Sequence, residues 1–252
     1  MPNGIKSITN RKVYYCGYCT NQLQYVFKGI KKEQRKFPAG CLLFQHDGEY
    51  YLYDTGYAPR VLENGWYSKI YNLFNPTTCP QNEALIVQLA KDGIQASDIK
   101  GIIISHLHPD HIGGLRDFPK AKIYLSRKSF ETYKYPKLLD LIFINLFPND
   151  FENRVKILET INNVDFFGDG SLILKDISGH TAGQIGLIFP FDKIFYAADS
   201  SWGEDLIDKK MKKKAQLIQN DYQLYKENIV QVKKEQKKGI DIIFSHDRIP
   251  YD

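Results

Sequence analysis

The stretch Ser105-His106-Leu107-His108-Pro109-Asp110-His111 constrains this chain more than any other part of it. Three imidazoles and a carboxylate fall within six residues, directly after the apolar run Gly101–Ile104, which reads as a short strand. Imidazole nitrogen and carboxylate oxygen are good ligands for zinc and other divalent first-row ions. The side chains must converge to act together, and Pro109 helps by fixing the backbone where the strand gives way to a turn. One ion rarely accepts four ligands from so short a stretch. Dividing them between two ions is geometrically easier, and the rest of the coordination must then come from distant parts of the chain.

Three further segments supply candidates. Gly179-His180-Thr181-Ala182-Gly183 sets a histidine in a Gly-bounded turn after the strand-like run Leu172–Ile177. Ala198-Asp199-Ser200 follows Ile194–Ala197, and Ser245-His246-Asp247 follows Ile240–Phe244. A single histidine after a strand is usually a surface or internally satisfied residue. Here the same placement recurs, and of the six histidines only His46 lies outside the set.

The chain has 252 residues, 43% hydrophobic and 25% charged, enough to bury a core without disulfides. Cys41–His46 and Tyr50–Tyr53 read as strands joined by an Asp47-Gly48 hairpin turn. Tyr57 to Gln81 reads as an irregular surface segment, and Asn82–Asp92 as a helix with Leu85, Ile86, Leu89 and Ala90 on one face. Lys122–Leu125 and Ile185–Phe189 are further strands, and Glu204–Lys238 is a long polar stretch of helical spacing. With no internal repeat or low-complexity linker, residues 1–252 read as a single α/β domain, with two sheets covered by helices on their outer faces.

Cys16 and Cys19 form C-x-x-C, but no second pair of similar spacing completes a structural zinc site, so buried apolar roles are expected for them. Met1–Asn10 is polar, with no apolar signal segment, and the run Leu138–Phe147 is too short to span a bilayer. A cytoplasmic protein is the expectation.

The segments His106-Leu107-His108-Pro109-Asp110-His111, Gly179-His180-Thr181, Ala198-Asp199 and Ser245-His246-Asp247, with Asp54-Thr55-Gly56 before them, resemble the metallo-β-lactamase superfamily. The resemblance runs in order from Cys41 to Asp247. It implies an αββα four-layer sandwich with the site at one edge. It also implies that His106, His108 and His180 hold one metal, that Asp110, His111 and His246 hold the second, and that Asp199 bridges them. Asp54 would orient a ligand histidine. The cofactors implied are two divalent ions, with Zn2+ the default for His and Asp ligands, and a shared hydroxide would be the nucleophile. Asp110 would orient that nucleophile and pass its proton to the leaving group.

Within the superfamily the chain looks most like the N-acyl homoserine lactonases, which implies hydrolysis of a lactone or other ester of a small molecule. Those enzymes carry Tyr three residues after the bridging Asp. Here that position is Trp202, a substrate-binding candidate whose indole N–H can donate a hydrogen bond but cannot transfer a proton at ordinary pH.

Three other functions compete with this one. A thioesterase is one. A phosphodiesterase or nuclease would use the lysines of Lys209–Lys214 and Lys233-Lys234, but the net charge is only +5 and those runs read more simply as solvated helix faces, which disfavours a nucleic-acid partner. A non-catalytic metal-holding protein would be expected to have lost a ligand, yet all seven positions are filled. The aromatic segment Tyr57–Phe74 and Leu138–Phe147 are the candidate pocket walls. Core helix or homodimer contact is the favoured alternative for Leu138–Phe147.

Overall fold

A computed structural model describes residues 8–63 and 65–247. The first sheet contains β1 (Thr9–Gln22), β2 (Gln34–His46), β3 (Glu49–Tyr53), β4 (Thr77–Thr78), β5 (Ile99–Ile103), β6 (Lys122–Ser126) and β7 (Val155–Leu158). Their spatial order is β4-β1-β2-β3-β5-β6-β7. The second sheet contains β8 (Val164–Asp165), β9 (Ile173–Asp176), β10 (Ile185–Phe189), β11 (Ile194–Tyr196) and β12 (Asp241–Ile243), in the order β12-β11-β10-β9-β8.

Side-chain alternation explains why the sheets stack. In β2, Leu42 and Phe44 face the second sheet, while Cys41 and Leu43 face the opposite, helix-covered side. In β5, Ile103 points between the sheets and Ile102 points outward. Leu174, Leu187, Phe189 and Phe195 from the second sheet complete the inner core. A period of two with both faces apolar requires cover on both sides, which is the physical origin of the four layers. The outer side of the first sheet is sealed by Leu85 and Leu89 of the helix Leu85–Lys91, and by Leu115 and Phe118.

The β2–β3 hairpin closes through Asp47 and Gly48, at φ 55° and 80°, the left-handed pair that suits the twist of two antiparallel strands. β3, β5, β6 and β7 then run parallel. Their C-terminal ends therefore lie at one edge, where Asp54 and the His106–His111 loop emerge.

Four expectations need correction. The segment from Tyr57 to Gln81 is not an irregular surface: it holds the helix Gly65–Phe74, and Tyr57 and Tyr71 are buried. Glu204–Lys238 is broken into a turn at Glu204–Leu206, a short helix Lys213–Gln216 and the helix Tyr222–Lys237. The break falls where Asp221 caps the last helix, its carboxylate accepting from the Gln223 and Leu224 amides. Leu138–Phe147 is not one helix but two 3-10 turns, with Leu138 and Leu139 exposed and Ile142, Phe143, Leu146 and Phe147 buried. In the Asn82–Asp92 segment, Ala90 is exposed rather than on the buried face.

The long strand β1 escaped the sequence reading altogether. Its register slips between Tyr15 and Tyr18, which separates the C-x-x-C pair: Cys16 Sγ lies 3.8 Å from Cys41 Sγ, while Cys19 faces the site described below. All four cysteines are buried and free. Part of the polar N-terminal segment, Met1–Ser7, lies outside the described residues. Among the described residues no helix is long and apolar enough to cross a membrane.

Gly179, at φ 134°, is where the turn before His180 meets the start of the last helix. A Cβ there would lie 2.4 Å from Tyr225 N and 2.5 Å from Tyr225 Cα. Backbone cannot swing aside as a flexible side chain can. Gly179→Ala is therefore expected to destabilise the protein by about 2–3 kcal/mol, read as a lowered midpoint in thermal or urea unfolding.

Candidate metal centre

β5 ends at Ile103, and the chain continues through Ser105 and His106 to His108, the residue before a one-turn helix Pro109–Ile112. Proline at the first helical position loses no internal hydrogen bond there and presets the helical φ. Strand end and helix turn together direct His106, His108, Asp110 and His111 to one place. His180 arrives from the turn after β9, Asp199 from the turn after β11, and His246 from the loop after β12. All seven are buried.

The side chains form two groups, His106–His108–His180 and Asp110–His111–Asp199–His246, with ligand atoms in each within 4.8 Å of one another. Asp199 Oδ2 lies 3.0 Å from His246 Nε2 and 3.4 Å from His180 Nε2, so it faces both groups. Asp110 Oδ2 lies 3.4 Å from His246 Nε2 and 3.6 Å from His111 Nε2.

The outward-facing nitrogens determine what the inward-facing ones can do. His180 Nδ1 lies 2.8 Å from Gln219 Oε1, and His246 Nδ1 lies 2.7 Å from the Pro38 carbonyl. His111 Nδ1 lies 2.7 Å from Asp54 Oδ2. His106 Nδ1 lies 3.0 Å from Ser105 Oγ, whose own proton goes to Asp54 Oδ2 at 2.6 Å. Each partner is an acceptor, which assigns the ring proton to Nδ1 in all four histidines. With that proton outside, a neutral imidazole presents a bare Nε2 to the interior.

The interior satisfies only part of these atoms with hydrogen bonds, among them His246 Nε2 on Asp199 Oδ2 at 3.0 Å. His108 Nδ1 faces two such nitrogens at once, His106 Nε2 and His180 Nε2, each at 3.1 Å. A single proton on His108 could serve only one of them well. His111 Nε2 and Asp199 Oδ1 are 3.3 Å apart, yet neither makes a hydrogen bond among the described residues. Buried polar atoms left this way are costly, and convergent lone pairs are what a cation needs. The donor set is thus suited to two metal ions.

Electrostatics agree with that reading. Burial, reinforced by neighbouring imidazoles, holds His106 and His108 well below the usual histidine range, and burial likewise lowers His180. Burial works against the charged form at His111 and His246 too. There the Asp199 and Asp110 carboxylates outweigh it, raising His111 well above its usual range and His246 to about 9. Asp199 is itself held low, because His246 and His111 overcome the effect of its burial. The two carboxylates demand positive charge, and in the ion-free chain protons supply it.

Asp54 sits behind this arrangement, fully buried and at φ 62°. Its Oδ1 accepts the Ser105 amide at 2.7 Å, and its Oδ2 accepts from Ser105 Oγ and His111 Nδ1. Thr55 adds a latch, donating its amide to the His111 carbonyl at 2.8 Å. Trp202 is half-buried, held edge-on by Phe27 and Phe37 at 5.8 and 5.6 Å between ring centres.

The sequence reading did not anticipate Ser105, Gln219 or the Pro38 carbonyl. Ser105 lay inside the motif without an assigned role. Gln219 stood in a polar stretch with nothing to distinguish it, and a backbone carbonyl has no signature in residue type.

A two-sheet sandwich with a His/Asp cluster suited to two metals at its strand ends defines a particular class of α/β protein. The family model of the metallo-beta-lactamase superfamily matches residues 36–237, and the chain belongs to that superfamily. It is 25% identical over 160 residues to the N-acyl homoserine lactonase AttM of Rhizobium radiobacter, covering 61% of this chain and 60% of that protein. It is 26% identical over 163 residues to the metallo-hydrolase mfmC of Annulohypoxylon moriforme, covering 59% and 42%. The chain spans between 15% and 60% of the length of the curated relatives it matches. Among solved structures, an N-acyl homoserine lactone hydrolase with N-hexanoyl-L-homoserine at its catalytic metal centre superposes with TM-score 0.75 at 21% identity, over 96% of this chain and 94% of that one. At that identity the structural match establishes the fold.

Two outcomes follow from this geometry. Filling the site at pH 7 should release roughly two protons per chain, because cations replace protons on His111 and His246; calorimetry in buffers of different ionisation enthalpy measures this. Asp54→Asn replaces one acceptor oxygen with an amide that faces donors. Metal affinity is expected to fall about 10–100-fold, measured by chelator competition.

Proposed function

We propose that the chain is a single-domain, two-metal hydrolase acting on a lactone or other ester of a small molecule with an apolar acyl part. The observation that carries this reading is the convergence of imidazole nitrogen and carboxylate oxygen atoms from four separate strand ends, with an outer acceptor for the Nδ1 proton of four of the five histidines. In this reading His106, His108 and His180 hold one divalent ion, and Asp110, His111 and His246 hold the other. Asp199, in reach of both groups, would serve both ions, and zinc is the first choice for such a ligand set.

When bound, the ions would polarise a carbonyl oxygen and make water nucleophilic at neutral pH. The chain's own residues set the rest. Asp54 and Ser105 hold His106 and His111 in their ligating orientation, and Gln219 and the Pro38 carbonyl do the same for His180 and His246. Asp110 lies on the wall of the cavity beside the cluster, where its carboxylate can orient a water and carry its proton to the leaving group.

The substrate class rests on the neighbouring cavity. It encloses about 300 Å³ between His108 and His180 and the apolar side chains Leu107, Leu138, Ile142 and Leu217. Such a space accommodates a hydrocarbon chain next to the reacting centre. Of the Leu138–Phe147 segment, Leu138, Leu139 and Ile142 therefore serve the pocket, while Phe143 and Leu146 serve the core. Similarity to the lactonases supports the ester or lactone choice. The lysines of Lys209–Lys214 line neither cavity beside the cluster, so that run gives the phosphodiester alternative no support.

The test is elemental analysis of the purified protein together with turnover of a panel of lactones, thioesters and phosphodiesters. About two ions per chain, with the fastest turnover on acyl lactones or esters, is expected. Fewer than about one ion per chain, or activity confined to bis-p-nitrophenyl phosphate, would reverse the assignment. Asp110→Asn should lower kcat by about 10²–10⁴-fold, provided both ions are retained. Near-normal turnover in the fully loaded variant removes Asp110 from the mechanism.

A further inference from the structure

A hydrogen-bond donor aimed at the substrate oxygen that gains charge during attack would add to whatever the metals supply. Position 202 offers only an indole, clamped between Phe27 and Phe37. The smaller cavity beside the cluster contains another candidate. Its wall brings Asp110, His246 and Trp202 together with Cys19, Tyr57 and Tyr71.

The two phenols form a pair, their hydroxyl oxygens 2.8 Å apart. Both line the cavity, and Tyr71, at 9% exposure against 1% for Tyr57, is the more open of the two. They come from independent supports. Tyr57 follows the Asp54-Thr55-Gly56 turn, its amide bonded to the Cys16 carbonyl at 3.1 Å. Tyr71 lies on the helix Gly65–Phe74 and packs edge-on against Phe143, ring centres 5.3 Å apart.

Two hydroxyls that share one hydrogen bond leave one proton over. When Tyr57 donates to Tyr71 rather than to Cys19, the Tyr71 proton is free to point into the cavity. Burial pushes both phenols well above the usual tyrosine range, so both keep their protons at neutral pH. Neither role depends on residue 202.

We propose that Tyr71, oriented by Tyr57, donates the hydrogen bond to the substrate oxygen at this centre. The inference rests on the hydrolase reading above and names a residue in it. Tyr71 is the donor, and Tyr57 is a positioning residue that settles which way the Tyr71 proton points. No bond to either phenol is made or broken.

The experiment compares wild type with Tyr71→Phe and Tyr57→Phe, all loaded with metal to measured stoichiometry. Tyr71→Phe should lower kcat about 100-fold with KM within a few-fold, since the donor acts on charge that develops only during reaction. A second reading does not need turnover. Binding of an alkylphosphonate, an inert tetrahedral oxyanion, is measured by calorimetry, and Tyr71→Phe should weaken it at least about tenfold at unchanged metal content. Tyr57→Phe should weaken it less, because the donor remains but loses its fixed direction. Phosphonate affinity equal in wild type and Tyr71→Phe, or no phosphonate binding by the wild type, overturns the proposal. If no ester or lactone is turned over, the hydrolase reading fails, while the phosphonate comparison still decides the role of Tyr71.

Discussion

The Asp54 carboxylate is the interaction on which the site depends. It is buried, it sits at a left-handed φ that a short polar side chain tolerates better than most, and both its oxygens are engaged. A buried carboxylate without partners would cost several kcal/mol, so the Ser105 and His111 donors are required as much as they are recruited. That requirement ties the end of β3 to the loop after β5. The parallel pairing of these strands brings the two ends to the same edge, and the carboxylate then sets the spacing between them.

From there the arrangement is an inventory of protons. Each of four histidines gives its Nδ1 proton to an acceptor outside the cluster, and each acceptor comes from a different kind of group: a carboxylate, a hydroxyl, a side-chain amide and a backbone carbonyl. Inside, nitrogens and carboxylate oxygens are left facing one another with too few protons to share. A structural histidine cluster would be expected to close its hydrogen bonds. This one leaves His111 Nε2 and Asp199 Oδ1 open, which is the arrangement of a ligand shell.

The cavities beside the cluster are built differently. Their walls come from segments with little regular structure of their own, the turns of Leu138–Phe147 and the stretch around Leu217, and from one helix, Gly65–Phe74. Trp202 closes part of the wall by packing on Phe27 and Phe37 rather than by offering a hydroxyl. The phenol pair of Tyr57 and Tyr71 places hydroxyl chemistry on another part of the same wall, anchored to the turn that carries Asp54.

The seven candidate ligands stand out in the sequence because each follows an apolar run, and strand periodicity is a local property that a linear reading can follow. The same locality made the Asp47-Gly48 hairpin and the Cys41–His46 half of β2 readable. Where local signals were weak the reading failed: β1 carries a register slip that interrupts its alternation, and the helix Gly65–Phe74 hides among aromatics that read as surface. Which residue accepts each imidazole proton, and that Tyr57 meets Tyr71, could be decided only by tertiary structure. Gln219 is 39 residues from His180, and Pro38 is 208 residues from His246. Residue type and spacing determine which groups a chain can offer as ligands, whereas the meeting of distant loops determines which way each proton must point.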